Sequence, residues 1–157
     1  MVKKIFYSTL VLAFGLSIMS VTPRSAFATN FPSWHWEKQA ISSYVTIDMP
    51  VDDRCDNASP AFRVTIFEGG NYTGARARLC GYWDDLSQLP QSKAANAPTF
   101  NNSVSSYKVT YVPGGYAIQF NSLKDQQGIA WVRGEGNVNE AGGDVDNILS
   151  SLKRINP

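Results

Sequence analysis

From residue 61 onward, apolar and polar side chains alternate along the chain with a period of two. Phe62, Val64 and Ile66 share one side of this pattern, and Arg63 and Thr65 share the other. The alternation continues in the segments 75–79, 107–111, 116–120 and 129–131. It predicts strands with one buried face, and the segments between them, rich in Gly, Asn and Asp, predict turns. The chain is therefore expected to be all-β, and short strands at this spacing favour a sandwich.

Two other segments carry weaker structural signals. The segment 84–89, DDLSQL, predicts one helical turn with Asp84 or Asp85 as its N-cap. In 29–60, the residues 44–49 alternate and predict a strand, and the pieces on either side are expected to be surface loop. We therefore expect 29–60 to be an N-terminal extension of a domain that spans 61–157.

The first 28 residues have the three parts of a secretory signal peptide. Lys3 and Lys4 precede an apolar run from Ile5 to Met19, and small residues end the segment at Ala28. A transmembrane anchor is the alternative, but a spanning helix needs about 20 mostly apolar residues and this run is shorter. The sequence predicts a secreted protein, either extracellular or periplasmic.

Charge and cysteine content limit which partners and which cysteine state we expect for the mature chain. Cleavage after residue 28 leaves 129 of the 157 residues and removes three of the 14 basic residues. The mature chain then has 11 basic and 13 acidic residues, which gives a net charge of −2. Without a basic stripe we expect no nucleic-acid partner, and without a second apolar run no membrane association after cleavage. In an oxidising compartment Cys55 and Cys80 favour a disulfide over two free thiols, and closing this loop stabilises a fold by about 3.5 kcal/mol.

One polar phrase occurs twice. NNSVSS at 101–106 is matched by DNILSS at 146–151, and each residue of the second phrase lies 45 positions after its counterpart. Such a repeat predicts two similar supersecondary units. Carboxylate, amide, hydroxyl and carbonyl oxygens are hard ligands that suit Ca²⁺, and nothing soft is present to select zinc or copper. Asx-turns that cap strands are the alternative for one copy alone, but the second copy favours a metal site.

The sequence resembles the βγ-crystallin family in three motifs that follow one another in the family's order. Phe62, Phe67 and Gly69 fit the aromatic hairpin of a first Greek key, GNYTGARARL fits its continuation, and the repeated phrase fits the later motif of each key. The resemblance implies two Greek keys packed as a sandwich over 61–155. The second key departs from the family, because YAIQFNSLKDQQG lacks the spacing of the aromatic-glycine hairpin.

The resemblance also implies a set of calcium ligands in which the two phrases work crosswise. Asn101, Asn102 and the Ser103 carbonyl would serve one ion together with the Ser150 hydroxyl. Asp146, Asn147 and the Ile148 carbonyl would serve the other together with the Ser105 hydroxyl. Glu68 would add a carbonyl from the first hairpin, with Asn121 as its counterpart, and Ser106 and Ser151 would hold the turns. Because only the second phrase has a carboxylate in the pair, we expect one weaker and one stronger site.

Other function classes have less support in the sequence. An enzyme would have to use His35, the single histidine, and no nucleophile motif accompanies it. A carbohydrate- or protein-binding module could use Trp34 and Trp36 as a contact patch. A secreted effector of the same fold, similar to killer toxins or metalloproteinase inhibitors, is the third alternative. The sequence favours a monomeric, non-enzymatic, calcium-binding protein, with a protein or glycan partner left open.

Overall fold

The computed structural model describes residues 32–134, 136–138 and 146–156. The predicted signal peptide lies outside these ranges and stays a prediction. Within the described ranges no helix has the length and apolar character needed to cross a membrane. The elements are strands and short 3-10 turns. The strands are β1 Trp34–Ala40, β2 Thr46–Asp52, β3 Arg63–Phe67, β4 Arg76–Leu79, β5 Ser106–Tyr111, β6 Ala117–Asn121, β7 Ala130–Arg133, β8 Gly136–Val138 and β9 Ser151–Ile155.

The strands form two sheets with a reciprocal exchange between the halves of the domain. The first sheet has the order β1-β2-β4-β3-β5-β8, and the second has the order β7-β6-β9. Strand β8 comes from the second half of the chain but pairs with β5 in the first sheet. In return, Trp83 from the first half forms a bridge with Leu152 of β9. This exchange gives two Greek keys packed as a sandwich, so the predicted all-β fold class is confirmed.

The core lies between the sheets and follows the alternation seen in the sequence. In β3, Val64 and Ile66 are fully buried while Arg63 and Thr65 are half-buried on the opposite face. Trp83 and Phe120 contribute large buried side chains from opposite halves of the domain. Burying such side chains stabilises a fold by about 1.5–3 kcal/mol each, so the two keys share one hydrophobic core.

The N-terminal extension is a β-hairpin, which corrects the prediction of surface loop around a single strand. Strands β1 and β2 pair antiparallel along their full lengths, from Trp34 opposite Asp52 to Ala40 opposite Thr46. Strand β2 then joins the edge of the domain by a parallel contact between Val51 and Arg78. The hairpin thereby adds two strands to the first sheet. The segment 34–40 is a strand because it pairs with β2, and its own sequence pattern does not predict that pairing.

The hairpin is fastened to the domain by a disulfide and a buried carboxylate. Cys55 and Cys80 form the disulfide, with their Cα atoms 5.0 Å apart, so the predicted bond is confirmed. Asp52 at the end of β2 is fully buried and accepts a hydrogen bond of 2.8 Å from the indole Nε1 of Trp83. Arg54 binds the same carboxylate through its side chain at 2.8 and 2.6 Å. These contacts join the extension to the core.

The predicted helical turn near residue 84 is present as a 3-10 turn at Leu86–Gln88. Asp85 is its N-cap, because its side chain accepts a hydrogen bond of 2.8 Å from the backbone N–H of Ser87. Leu86 and Leu89 on this turn are fully buried, so the turn closes one end of the core. The structure therefore selects Asp85 over Asp84 as the cap.

Candidate metal centre

The repeated phrases form two turns that are joined by a reciprocal pair of backbone hydrogen bonds. The N–H of Asn102 donates to the carbonyl of Leu149 at 2.9 Å, and the N–H of Asn147 donates to the carbonyl of Val104 at 3.1 Å. Both members of the second bond lie 45 residues from their counterparts in the first. Asn102 and Asn147 have φ angles of 55° and 58°, in the left-handed region that Asn tolerates better than most residues. We call the turn at 101–103 corner A and the turn at 146–148 corner B.

Each corner receives a serine hydroxyl from the other phrase. Ser150 Oγ lies 2.8 Å from Asn102 Oδ1, and Ser105 Oγ lies 3.3 Å from Asn147 Oδ1. The structure therefore brings together the two pairs that the resemblance implied. The crossing follows from the start of β5 and β9 at the same end of the sandwich, where each phrase leads into its strand.

Corner A contains oxygen acceptors that the single proton of the Ser150 hydroxyl cannot all satisfy. The Ser150 hydroxyl lies 2.8 Å from Asn102 Oδ1 and 2.9 Å from the carbonyl of Ser122. A hydroxyl has one proton, so it satisfies one of these two acceptors at a time. In addition, Asn101 Oδ1 is buried and has no hydrogen-bond partner. A buried acceptor without a partner costs about 1–3 kcal/mol, and a cation at this place would satisfy it together with the surplus acceptor.

The hairpin carbonyl of corner A belongs to Ser122, which corrects the expectation for Asn121. The carbonyl of Asn121 accepts a hydrogen bond from the N–H of Ser150 at 2.9 Å, as the carbonyl of Phe67 does from the N–H of Ser105 at 2.9 Å. Asn121 is therefore equivalent to Phe67, and Ser122 is equivalent to Glu68. The predicted residue lies one position before the equivalent of Glu68, because the aromatic spacing of the second key differs from that of the first.

The second hairpin has the backbone of the first without its aromatic residues. Asn71, Tyr72 and Gly74 have φ angles of 53°, 61° and 75°, and the residues 54 positions later, 125, 126 and 128, have 55°, 61° and 79°. Sequence reasoning missed this hairpin because it searched for aromatic residues. The shared glycine, in GNYTG and KDQQG, is the signal that identifies it, because a glycine accommodates the positive φ at this position.

A hydrogen-bonded amide pair replaces the aromatic pair of the first hairpin. The rings of Phe67 and Tyr72 lie 5.4 Å apart, whereas at the equivalent positions Asn121 Nδ2 donates to Gln126 Oε1 at 2.8 Å. The Gln126 side-chain amide also donates to the carbonyl of Trp83 at 2.9 Å. Because the buried Asn121 has partners, the second hairpin keeps its shape without aromatic packing.

Ser106 and Ser151 hold these hairpins in place from the ends of the two phrases. Ser106 Oγ donates to the carbonyl of Gly69 at 2.6 Å, and Ser151 Oγ donates to the carbonyl of Leu123 at 2.6 Å. Each oxygen also accepts a backbone N–H, at 3.1 Å for Ser106 and 3.2 Å for Ser151. Both serines are fully buried, so their role is to fix the turns against the hairpins.

The remaining residues of the implied ligand set differ in what their side chains do. Ser103 Oγ donates to the carbonyl of Thr99 at 2.9 Å and accepts from the Gln91 side chain at 2.7 Å, so its hydroxyl already has partners. In corner B, Asp146 is exposed and Ile148 is half-buried. Glu68 is exposed, and its Oε2 lies 3.4 Å from the N–H of Ala75. The implied role of Ser103, Ile148 and Glu68 uses their carbonyl groups, and that role stays a prediction.

Corner A opens into a surface depression of about 390 Å³. Asn101, Asn102 and Ser150 line one side, and the second hairpin lines the other through residues 123–125 and 127. Across the described part of the chain, no three His, Cys, Asp or Glu side chains gather into a metal-binding group. The donor set at the corners consists mainly of neutral amide, hydroxyl and carbonyl oxygens. Such oxygens fit a hard cation of flexible coordination, bound with modest affinity.

The residues proposed for other functions lie in different surroundings. His35 Nδ1 lies 2.7 Å from Asp53 Oδ1 on an exposed surface, and this hydrogen bond raises the pKa of His35. Trp34 packs edge-to-face on Trp36, with ring centres 5.4 Å apart, and Trp34 also contacts the core. Both indoles are half-buried, and a role for them in contacting a ligand stays a prediction.

The comparisons with known proteins find similarity to solved βγ-crystallin structures. No family model matches the chain, and no curated protein matches it. A βγ-crystallin from an archaeon is 24% identical with a TM-score of 0.46, over 60% of this chain and 99% of that one. A βγ-crystallin domain from Clostridium beijerinckii is 27% identical with a TM-score of 0.45, over 60% and 99%. A βγ-crystallin from Ciona intestinalis is 23% identical with a TM-score of 0.45, over 59% and 99%. The chain is thus similar to βγ-crystallin domains over about three fifths of its length.

Proposed function

We propose that this chain is a secreted, non-enzymatic protein of βγ-crystallin type that binds calcium at corners A and B, and that the ions stabilise its fold. The observation that carries the proposal is the shared proton of Ser150, whose hydroxyl oxygen faces the acceptors of Asn102 and Ser122 at 2.8 and 2.9 Å. Three oxygens converge with one proton between them. A calcium ion takes six to eight oxygen ligands in irregular geometry, so it suits such a cluster.

Calcium bound at the corners would connect the two halves of the sandwich. Ser150 and Asn102 lie 48 positions apart in the sequence, and Ser105 and Asn147 lie 42 apart. An ion that binds both members of such a pair binds the folded state and has no comparable site in the unfolded chain. It therefore stabilises the fold by RT ln(1 + [L]/Kd), about 2.7 kcal/mol when free calcium exceeds Kd a hundredfold.

The affinity we expect matches an extracellular supply of calcium. The corners have few charged ligands, and sites of this kind on extracellular modules bind with Kd values of about 10⁻⁴–10⁻³ M. Export of the chain would expose it to calcium at such concentrations. The proposal for export rests on the signal-peptide pattern of residues 1–28, and N-terminal sequencing of the secreted protein should begin at Thr29.

Titration calorimetry and thermal melting test the calcium sites directly. Metal-free protein should release or absorb heat on addition of millimolar calcium and should melt at a higher temperature with calcium than without it. Ser150→Ala and Ser105→Ala should each weaken one site about tenfold or more, because each removes a ligand oxygen and the contact between phrases. Both variants should keep the β-sheet circular dichroism spectrum of the wild type.

Ser92→Ala is the matched control, because Ser92 lies exposed in the loop between the 3-10 turn and corner A. It should keep both calcium affinities of the wild type. Absence of heat and of a melting shift in the wild-type protein at 10 mM calcium, about ten times the weakest expected Kd, would refute the proposed function. Equal affinities for the wild type and both serine variants would refute the assignment of the corners.

A further inference from the structure

We propose that Asp125 supplies the negative charge of the calcium site at corner A, a role that Asp146 fills at corner B. This inference rests on the proposed function and adds a residue outside the repeated phrases to the site. Asp125 belongs to the second hairpin, which the aromatic motif of the first does not identify. Its carboxylate makes corner A an anionic site, although the phrase at 101–106 contains no charged residue.

The position of Asp125 follows from the geometry of the second hairpin. Asp125 lines the same depression as Asn101, Asn102 and Ser150. Its backbone is fixed in the left-handed region at a φ of 55°, and its N–H donates to the carbonyl of Asp84 at 2.9 Å. Asp125 is exposed to solvent. The hairpin therefore places Asp125 on the same depression as Asn101, Asn102 and Ser150.

The neighbouring lysine does not cancel this charge. Lys124 also lines the depression, but its ammonium group lies 2.8 Å from Asp85 Oδ2 and 3.1 Å from Ser87 Oγ. Asp85 caps the 3-10 turn, and only an eighth of its side chain is exposed, so this ion pair is partly shielded from water. Lys124 is therefore engaged with Asp85.

The two corners differ in which segment carries the aspartate, the hairpin at corner A and the repeated phrase at corner B. Asp125 is equivalent to Asn71 in the first hairpin, since the two residues have φ angles of 55° and 53°. Asn101 of corner A is equivalent to Asp146 of corner B. Each site would thus combine one aspartate and one asparagine at these two positions, with the aspartate on the hairpin at corner A and on the phrase at corner B. The phrases alone predict unequal affinities. The complete corners predict affinities within about fivefold of each other, because each would have one charged side chain and calcium affinity depends on the number of charged ligands as well as on the rigidity of the site.

Calorimetric titration of two charge variants tests this inference. Asp125→Asn should weaken one of the two calcium sites by about five- to tenfold and leave the other unchanged, because a divalent cation loses one nearby unit charge in a solvent-exposed setting. The loss should shrink in high salt, where exposed charges are screened. The reverse change, Asn71→Asp, should strengthen the site at corner B by a similar factor. Both Asp and Asn tolerate the left-handed backbone at these positions, so neither change alters the turn.

Asp56→Asn is the control for net charge, because Asp56 is exposed on the 3-10 turn after β2. It should leave both affinities within twofold of the wild type. A gain of affinity in Asn71→Asp supports the inference in a way that a loss of folding cannot imitate. If the wild type binds two calcium ions and Asp125→Asn keeps both affinities, the role of Asp125 is overturned while the proposed function stands. If the wild type binds no calcium, both are overturned.

Discussion

The buried carboxylate of Asp52 should control the attachment of the N-terminal hairpin to the domain. Asp52 is fully buried and accepts hydrogen bonds from the backbone and side chain of Arg54, from the N–H of Cys80 at 3.1 Å and from Trp83 Nε1 at 2.8 Å. Burial opposes its ionisation, but the hydrogen bonds from Arg54, Trp83 and Cys80 outweigh this effect and lower its pKa. The native state therefore holds Asp52 as a carboxylate at neutral pH.

Replacing Asp52 by Asn should destabilise the protein by about 3 kcal/mol. The amide keeps one acceptor oxygen and turns an NH₂ group toward donors, so at least one buried donor loses its partner, at about 1–3 kcal/mol. Breaking a buried ion pair costs about 3–5 kcal/mol, but the Arg54 side chain is 35% exposed and can regain water, which reduces this cost. For a domain of this size, about 3 kcal/mol corresponds to a fall in Tm of roughly 10 °C.

Thermal melting in calcium-free buffer between pH 2 and 7 measures this effect. A lowered pKa means that the stabilisation is fully present above the unfolded pKa of about 3.9 and is lost as the pH falls through the native pKa. The wild type and Asp52→Asn should therefore differ most above pH 5, and the difference should shrink progressively as the pH falls below about 4. Asp48→Asn, an exposed change on the same strand, is the control and should cost less than about 1 kcal/mol. A difference below about 0.5 kcal/mol at pH 7 for Asp52→Asn would refute the reasoning.

Two further predictions concern single hydrogen bonds. The NMR titration of His35, the single histidine, should show a pKa above 6.5 that returns toward 6.5 in Asp53→Asn. The stability that this pair contributes is present below the unfolded pKa of His35 and is lost as the pH rises through its native pKa. An unchanged pKa of His35 in the variant would contradict the assignment. Ser106→Ala and Ser151→Ala should each lower stability by about 1–3 kcal/mol in urea unfolding, because each leaves a buried carbonyl and a backbone N–H without a partner, while calorimetry should still count two calcium sites.

The alternation of side chains was enough to predict the sandwich, because a strand with one buried face has an apolar residue at every second position. It placed Val64 and Ile66 in the core, and the structure confirms both. The same reasoning failed for 34–40, since the polar face of β1 has the composition of a loop. Its strand character comes from pairing with β2, and β2 in turn is placed by its contact with β4 and by the buried Asp52.

At the candidate metal centre, the sequence by itself determined the repeated phrase and its oxygen chemistry. The pairs Ser150 with Asn102 and Ser105 with Asn147 were implied by the resemblance to βγ-crystallins. The tertiary structure alone decided which hairpin completes each corner. It placed the carbonyl of Ser122, rather than that of Asn121, within hydrogen-bond distance of the Ser150 hydroxyl, and it brought Asp125 to the depression at corner A. The physical reason is that a hairpin is defined by its backbone angles and hydrogen bonds. An amide pair at Asn121 and Gln126 satisfies these as an aromatic pair does, although the two hairpins share little in sequence beyond the glycine with positive φ.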